Sequence, residues 1–341
     1  MVTAFYFEQR SEEHTLEGHP EHAGRLTAVH RQLEADNLLT QLVTVGRREA
    51  TIDDLKTVHS TAHLDLLART ETLTTPAMLG PDTYVLPTSY AVARQTIGGL
   101  FNIIDHVSDG KASNGLAALR PPGHHATPSH AMGFCLVNNI AIGARYAQRH
   151  HQIARVAIVD FDVHHGNGTQ DAFYDDSSVL FISSHQSPLY PGTGHLNEIG
   201  QGAGEGYTIN IPVPPRTGDT ALTTFYDEIV VPALERFAPD LILVSAGFDA
   251  HWRDPLANLE VSLTAFGLVT EKLIHAAAAL CGGRIIFMTE GGYDLEVMGY
   301  GGANLARSLL GVGEVQDPIG VSDVDPPITS LLDQVRRLHH L

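Results

Sequence analysis

Asp160-Phe161-Asp162-Val163-His164-His165-Gly166-Asn167-Gly168 is the stretch that decides the fold of this chain, because it closes the apolar run Val156 to Val159 with carboxylates and imidazoles. Such an ending is typical of a buried strand with a candidate metal site at its exit. Asp162 and His164 are two residues apart, so in extended backbone their side chains project to one side and can bind one cation, with Asp160 behind them. A solvated turn is the plainer interpretation, so the segment needs partners elsewhere in the chain.

Three further apolar runs end in polar, titratable residues. Gly115 to Leu119 leads into Arg120 to His125, Leu241 to Ser245 leads into Ala246 to Asp249, and Ile285 to Thr289 leads into Glu290 to Tyr293. In an open, mostly parallel α/β sheet, ligands bind outside the carboxyl ends of the strands. The four segments are therefore expected to meet at one edge of a sheet.

Alternating strands and helices fill the rest of the chain. Apolar runs predict strands at Val2 to Phe7, Val156 to Asp160, Val179 to Ser183, Tyr207 to Val213, Leu241 to Ser245 and Ile285 to Thr289. Helical spacing predicts helices at Pro20 to Leu39, Tyr90 to His106, Asn138 to His150, Ala221 to Phe237 and Leu263 to Leu280. This rhythm predicts an α/β fold with an open, mostly parallel β-sheet and helices on both faces.

No linker rich in Pro, Ser or charge divides the 341 residues, so a single domain over 1–341 is predicted. The tail, about 327–341, has apolar residues at helical spacing. It is predicted to form a helix that packs on the domain or serves in a contact between copies of the chain, so a homo-oligomer remains open.

Composition excludes several classes of protein. No apolar stretch approaches ~20 residues and the first residues do not match a signal peptide, so no membrane partner and a cytoplasmic location are expected. Cys135 and Cys281 have no paired spacing, which speaks against disulfides and a thiolate zinc site. The net charge of −18 disfavours nucleic acid and favours cationic partners such as lysine side chains or polyamines. Nucleotide-binding loops and the serine hydrolase elbow are absent.

At this point the motifs as a set resemble the histone deacetylase and acetylpolyamine amidohydrolase superfamily, in its class II-like (bacterial-type) branch. The matching blocks follow the family's order along nearly the whole chain: His19-Pro-Glu21 with Arg25, Arg120-Pro-Pro-Gly-His-His-Ala126, Gly133-Phe-Cys135 with Asn138-Asn139, Asp160 to Gln170, Pro191-Gly-Thr-Gly194, Ala246-Gly-Phe-Asp249 and Glu290-Gly-Gly-Tyr293. The resemblance implies an arginase/deacetylase-like fold and a zinc-dependent deacetylase.

The resemblance also implies roles for individual residues. Asp162, His164 and Asp249 look like the ligands of a catalytic Zn²⁺, and this oxygen-rich set also suits Fe²⁺. His124, held by Asp160, looks like a protonated electrostatic stabiliser, because a carboxylate behind an imidazole favours the imidazolium. His125, held by the uncharged Asn167, looks like the general base, and Tyr293 looks like the oxyanion donor. Asn167, where class I relatives carry Asp, indicates the class II-like branch.

Substrate selection is less clearly written in the sequence. Gly133, Phe134 and Tyr190 match the walls of a narrow apolar tunnel that suits the methylenes of a lysine or aminoalkyl chain. Leu256 falls where polyamine-selective relatives place an acidic residue, so an acetylated lysine peptide or protein is favoured over an acetylated polyamine. Asp82 is a candidate rim acceptor for substrate backbone N–H groups.

By the same resemblance, two groups of residues look like monovalent cation sites, with K⁺ expected as a structural ion. The first comprises Asp160, Asp162, His164, Ser183 and Ser184, and the second Phe173, Asp176, Val179 and Tyr207. Arg25 matches a buried cation near an acetate exit path, although a charge on a surface helix is the simpler interpretation.

Two other classes of function stay open. A binuclear ureohydrolase shares the architecture but needs a further metal-binding Asp where this chain has His165 and Gly166, so one metal is expected. A non-catalytic acyl-lysine binding protein would lack a ligand, the His125 base or Tyr293, and all of these are present. Eight other histidines lack carboxylates at ligand spacing, and most of them are interpreted as surface or satisfied core residues: His14, His19, His22, His30, His150, His151, His339 and His340.

Overall fold

The computed structural model describes all residues 1–341 and has an eight-stranded sheet at its centre, with strand order β2-β1-β5-β10-β9-β6-β7-β8. Every pair in this sheet is parallel, and a separate antiparallel pair is formed by β3 and β4. The strands are β1 Thr3–Phe7, β2 Val43–Thr44, β3 Ala77–Met78, β4 Tyr84–Val85, β5 Asn114–Ala118, β6 Val156–Asp160, β7 Val179–Gln186, β8 Thr208–Val213, β9 Leu241–Ala246 and β10 Ile285–Thr289.

Helices cover both faces of the sheet. They are α1 Gly24–Ala35, α2 Ile52–Leu55, α3 Thr61–Thr70, α4 Ser89–Ser108, α5 Asn139–His151, α6 Asn167–Phe173, α7 Asp219–Phe225, α8 Val231–Phe237, α9 Leu263–Cys281, α10 Leu295–Leu310 and α11 Thr329–His339. Buried apolar residues form two clusters, and successive residues of β6 alternate between them, with Ala157 and Val159 in one and Val156 and Ile158 in the other. This alternation places one cluster on each face of the sheet, and the predicted fold class is confirmed.

The strand register explains why distant segments meet. Asp160 at the end of β6 lies opposite Ser183 of β7 and Ser245 of β9, and Thr289 at the end of β10 lies opposite Ala246. Because all these strands run in the same direction, the residues that follow them leave the sheet at one edge. We call this side the carboxyl edge and the opposite side, where the strands begin, the amino edge.

Two predicted helices differ from the structure. The first begins at Gly24 rather than at Pro20, because 20–23 form bends and a turn before α1. The predicted helix Ala221 to Phe237 is broken into α7, a π-helical turn at Tyr226–Val230, and α8. Pro232 at the start of α8 cannot donate a helical hydrogen bond and its ring crowds the preceding turn, which is a physical cause for the wider π turn.

The C-terminal helix packs on the domain. Helix α11 contacts β8 and the π-helical turn, Val335 is fully buried, and Arg336 pairs with Glu228 across the contact at 3.2 Å. The structure therefore has the first of the two predicted arrangements, in which the C-terminal helix packs on its own domain.

Helix α9 corrects an expectation from the sequence. At 19 residues it is long and apolar enough to cross a membrane by length and composition alone. Half of its most apolar window is nevertheless buried within the fold, where it contacts α7, α8, α10 and β9. An apolar helix in these surroundings is typical of a core helix.

Candidate active site

Three side chains from two strand exits converge at the carboxyl edge. Asp162 and His164 follow β6, Asp249 follows β9, and their ligand atoms all lie within 4.8 Å of one another. His164 Nδ1 is 3.1 Å from both Asp162 Oδ1 and Asp249 Oδ2. The remaining carboxylate oxygens are fixed by backbone N–H groups, since Gly291 donates to Asp162 Oδ2 and Val163 donates to Asp249 Oδ1.

The electrostatics of this cluster fit a bound cation. Both carboxylates are fully buried, and two such charges are costly without positive charge between them. Burial alone would lower the pKa of His164, but its hydrogen bonds to Asp162 and Asp249 outweigh burial and raise the pKa to about 10. A cation between these groups would offset the buried negative charge, and two carboxylates with one imidazole are ligands that zinc binds.

Two adjacent histidines enter the same site with opposite protonation. His124 Nδ1 is 2.9 Å from Asp160 Oδ2, and His125 Nδ1 is 2.8 Å from Asn167 Oδ1. Burial would lower the pKa of His124, but Asp160 and Asp162 outweigh it and hold the pKa well above its usual range. For His125, burial and the neighbouring charges of His124 and His164 hold the pKa well below its usual range. His124 is therefore a cation and His125 is neutral at pH 7.

A cavity of about 220 Å³ leads from the surface to these groups. Its lining includes His124, His125, His164 and Tyr293, together with all five predicted substrate-binding residues: Asp82, Gly133, Phe134, Tyr190 and Leu256. Phe134 packs edge-on against Tyr293, with ring centroids 5.9 Å apart, and Tyr190 packs edge-on against His125 at 5.2 Å. The cavity is therefore narrow and has aromatic walls.

The tunnel wall at Gly133 and Phe134 is held by polar contacts. Both residues have positive φ, 56° and 67°, and a side chain on Gly133 would place its Cβ 2.3 Å from His125 Cδ2. Asp82 Oδ1 accepts from the Gly133 N–H at 3.2 Å, and Thr83 Oγ1 accepts from the Phe134 N–H at 3.1 Å. Asp82 thus braces the wall as well as lying at the rim, a role that its sequence position did not reveal.

The Glu290-Gly-Gly-Tyr293 turn is set by close approach to the metal cluster. A Cβ on Gly291 would lie 2.0 Å from Asp249 Oδ2 and 2.6 Å from Asp162 Oδ2, so no larger residue fits. Gly292 has a φ of 120°, which only glycine adopts readily. The turn then places Tyr293 against the cavity, where burial raises the pKa of its hydroxyl well above the usual value and keeps it protonated.

Gly291→Ala is expected to lower kcat/KM by roughly 100-fold or more, since a displacement of about 1 Å at a reacting site has effects of that size. Metal content should fall with it, because the added methyl group overlaps Asp249 Oδ2. Gly46→Ala is the matched control, as its Cβ would meet nothing within 4 Å. Full activity and metal content in Gly291→Ala would contradict this account of the turn.

Two buried acids that sequence reasoning left without a role hold the catalytic loops in place. Glu290 Oε2 accepts from the Gly123 N–H at 2.7 Å and its Oε1 accepts from Ser245, so it ties the histidine loop to β9. Asp254 accepts from the N–H of Tyr293 at 2.8 Å and from that of Leu256 at 2.9 Å. Asp254 thereby joins the tyrosine turn to the tunnel rim. No local sequence pattern predicts this contact.

Arg25 lies behind the site and is 1% exposed, so its interpretation as a surface charge is wrong. Its guanidinium donates to the carbonyl oxygens of Gly292 and Glu290 and lies over the Tyr293 ring, with Cζ 5.0 Å from the ring centroid. Glu21 accepts from Arg25 at 3.1 Å and from Arg120 Nη2 at 2.9 Å. One buried carboxylate is therefore shared by two guanidiniums beneath the tyrosine turn.

Glu21→Gln is expected to destabilise the fold by about 3–5 kcal/mol, because it leaves buried positive charge uncompensated. Burial would raise the pKa of Glu21, but Arg120 and Arg25 outweigh it and lower the pKa from 4.5 to about 2. The stabilisation is therefore fully present above pH 4.5 and is lost as the pH falls toward 2. Urea unfolding over this range measures it, with exposed Glu17→Gln as the control. Equal losses in both variants would contradict the pairing.

The residues predicted for monovalent cations lie under and beside the cluster. Ser183 and Ser184 are in β7, next to Asp160 in the register, and the buried Ser184 hydroxyl has no hydrogen-bond partner. In the second group, Phe173 ends α6, Val179 begins β7 and Tyr207 precedes β8, while the Asp176 carboxylate pairs with Arg145 at 2.6 Å.

His165 stays outside the metal cluster. Its Nδ1 is 2.8 Å from Thr193 Oγ1 and its Nε2 is 3.1 Å from Gln170 Oε1, so the imidazole contacts the loop that contains Thr193 and helix α6. The only group of three metal-ligating side chains is Asp162, His164 and Asp249. The arrangement offers no ligand for the second metal of a ureohydrolase.

A parallel sheet with a carboxylate and imidazole cluster at the foot of an aromatic tunnel defines a class of metal-dependent amide hydrolases. The histone deacetylase domain model matches residues 19–309. Histone deacetylase 10, chloroplastic, of Oryza sativa subsp. japonica is 40% identical over 96% of this chain and 79% of its own length. A probable deacetylase of Archaeoglobus fulgidus is 36% identical over 87% of this chain and 82% of its own length.

Among solved structures, the HDA15 HD domain superposes with a TM-score of 0.90 at 34% identity, covering 99% of this chain and 94% of that domain. The chain belongs to the histone deacetylase family. It is accordingly an enzyme, a hydrolase of amide bonds in a zinc-dependent family.

Proposed function

We propose that this enzyme removes acetyl or other short acyl groups from the ε-amine of lysine in proteins or peptides. The observation that carries the proposal is the tunnel of about 220 Å³, which has aromatic walls and ends at the His124 and His125 pair, His164 and Tyr293. An acyl-lysine chain is long, unbranched and apolar until its amide, so it fits a tunnel with these properties.

Asp162, His164 and Asp249 would hold the metal, which we propose to be Zn²⁺, with Fe²⁺ compatible with the same oxygen-rich set. When bound, such an ion polarises the scissile carbonyl and makes water a stronger nucleophile at neutral pH. Several N–H groups already fix the orientation of both carboxylates, including those of Gly291 and Val163. The ligands are therefore held in place before a metal binds.

Proton transfer falls to His125 in this mechanism. A neutral imidazole can accept the proton of the attacking water and then deliver it to the leaving amine. Asn167 Oδ1 accepts from His125 Nδ1, which leaves Nε2 as the basic nitrogen. The positive charge of His124, held by Asp160, stabilises the negative charge that develops on the carbonyl oxygen.

Tyr293 supplies a hydrogen bond to the same oxygen. Its hydroxyl stays protonated because burial raises its pKa, and Asp254 holds its backbone N–H at 2.8 Å. Once the amide is cleaved, the guanidinium of Arg25 beneath the Tyr293 ring would attract the acetate product along its exit path. The negative charge that develops on the carbonyl oxygen would thus be stabilised by His124, which follows β5, and by Tyr293, which follows β10.

The rim favours a peptide over a polyamine. Leu256 lines the cavity and is 37% exposed, so that position offers no carboxylate to the distal ammonium of a polyamine. Asp82 lines the same cavity, where its carboxylate is a candidate acceptor for a substrate backbone N–H. These two residues together support acyl-lysine as the substrate.

Comparison of kcat/KM for acetyl-lysine peptides and for acetylated spermidine or putrescine tests this choice. The peptide is expected to be the better substrate of the wild-type enzyme, and Leu256→Glu is expected to shift the ratio toward the polyamines by roughly 10-fold or more. Leu256→Met is the matched control, since it keeps the site apolar. A wild-type preference for the polyamine would overturn the assignment of substrate while leaving the amide chemistry intact.

Monovalent cations complete the proposal. K⁺ between the β6 exit and β7 would use the Ser184 hydroxyl, which is buried without a partner, and carbonyl oxygens of Asp162 and His164. Bound there, it would hold the β6 exit, and with it two of the three metal ligands. Phe173, Asp176, Val179 and Tyr207 are proposed as the second such site.

A further inference from the structure

A second cavity, of about 400 Å³, lies at the amino edge of the sheet, on the side opposite the candidate active site. Arg155, Ser177 and Tyr207 on its wall come just before β6, β7 and β8, which are adjacent strands. The carboxyl ends of α8 and α11 close it. We call it the amino-edge cavity.

The amino-edge cavity has mostly basic residues on its wall, although the chain as a whole is acidic. The whole sequence has 39 acidic and 21 basic residues, yet the cavity wall carries Arg155, Arg236, His339 and His340 and one acid, the exposed Glu205. Neither guanidinium has a carboxylate oxygen within 4.0 Å. Arg236 donates instead to the carbonyl oxygen of His339, and the two arginines give this wall of an acidic protein a positive charge that attracts anions.

A buried imidazole on the wall is also unsatisfied. His339 is 4% exposed and its Nε2 has no hydrogen-bond partner, which corrects its interpretation as a satisfied or surface histidine. Burial, with Arg236 and His340 nearby, lowers its pKa to about 4, so the ring is neutral and one of its nitrogens carries a hydrogen. An orphaned buried polar atom of this kind costs about 1–3 kcal/mol.

The rest of the wall is apolar. Leu180, Ala233, Phe237 and Leu338 line the cavity beside the cations, together with the ring of Tyr207. A bare inorganic ion would leave this surface uncovered, whereas a ligand with an apolar body would bury it. The cavity therefore suits a molecule with an anionic head and an apolar body.

We propose that the amino-edge cavity binds a small organic anion, in which a phosphate or carboxylate group meets Arg155 and Arg236 and an apolar body covers Phe237 and Leu338. Guanidinium groups bind both kinds of head through paired N–H donors. The cavity is separate from the deacetylase tunnel, since it lies at the other edge of the sheet, although its lining residue Tyr207 also belongs to the second group proposed for K⁺. The enzyme would then bind a second ligand in this cavity, in addition to the substrate in the tunnel.

Isothermal titration calorimetry on the full chain tests the proposal, with phenyl phosphate and benzoate as probes of the two heads. Inorganic phosphate supplies the anion alone and benzyl alcohol the apolar body alone. We expect saturable binding of at least one aryl anion, tighter than that of inorganic phosphate or benzyl alcohol. Arg155→Ala should weaken it by roughly 10- to 100-fold, the range for one hydrogen bond to a charged group. Arg155→Lys should weaken it less, because it keeps the charge.

Arg149→Ala is the matched control, an exposed arginine at the end of α5 that does not line the cavity. Binding should be unchanged in this variant, and deacetylase activity should be unchanged in both. Absence of saturable binding by either aryl anion, or equal affinities in Arg155→Ala and Arg149→Ala, would overturn the proposal. Loss of deacetylase activity in Arg155→Ala would also contradict it, because the two sites would then not be separate.

Discussion

His125→Gln is expected to lower kcat by roughly 100- to 10,000-fold, the range that positioned general acid–base groups contribute. Of the two adjacent histidines, His125 is the one that can accept a proton, because His124 is held as a cation by Asp160. Glutamine fills similar space and can still hydrogen-bond Asn167, so substrate binding and metal content should change little. Steady-state kinetics and elemental analysis of the purified variant measure these quantities.

His130→Gln is the control for this prediction, since His130 is exposed in the same loop and lies outside the tunnel. Activity of His125→Gln within about 10-fold of the wild type would rule out the assigned role. A variant that lost its metal as well as its activity would instead show that His125 acts by holding the cluster together.

Tyr293→Phe is expected to lower kcat by roughly 100- to 1,000-fold, the loss associated with one oxyanion donor. The ring should keep its place, because the contacts that hold it are with Arg25 and Phe134 and with the backbone bond to Asp254. KM should therefore change much less than kcat, as expected when an interaction exists only in the transition state. The comparison requires kcat and KM for one acetyl-lysine peptide.

Tyr300→Phe removes a hydroxyl from a partly buried tyrosine in α10 that does not line the tunnel, and it should have wild-type kinetics. If Tyr293→Phe and Tyr300→Phe were equally active, Tyr293 would have no part in the chemistry. A large rise in KM at constant kcat would instead make Tyr293 a residue that binds the ground state.

The sheet and the meeting of its strand exits followed from the sequence, and the fold class is confirmed. Runs such as Val156 to Val159 are apolar at every position, which is typical of parallel strands covered on both faces, and such strands bring their carboxyl ends to one edge. The family resemblance implied Asp162, His164 and Asp249 as the metal ligands, and the structure places their ligand atoms within 4.8 Å of one another. Family membership, expected from the motifs, is confirmed by the comparisons.

Contacts between side chains and distant backbone could not be predicted. Asp254 bonds to the N–H of Tyr293 and Glu290 to that of Gly123, and these pairs are 39 and 167 residues apart in sequence. The family resemblance implied a buried Arg25, but its partners Gly292 and Glu290 could not be predicted because they are 267 and 265 residues away in sequence. Helix α10 was missed altogether, since three glycines interrupt its apolar pattern.

The amount of metal bound per chain tests the central claim most directly. The account predicts about one zinc-like ion per wild-type chain, by elemental analysis of protein prepared without chelators. It predicts loss of that ion in Asp162→Ala and in Asp249→Ala, and its retention in Asp333→Ala, which removes an exposed carboxylate of α11. Two ions per wild-type chain, or full retention of the ion in both cluster variants, would contradict it.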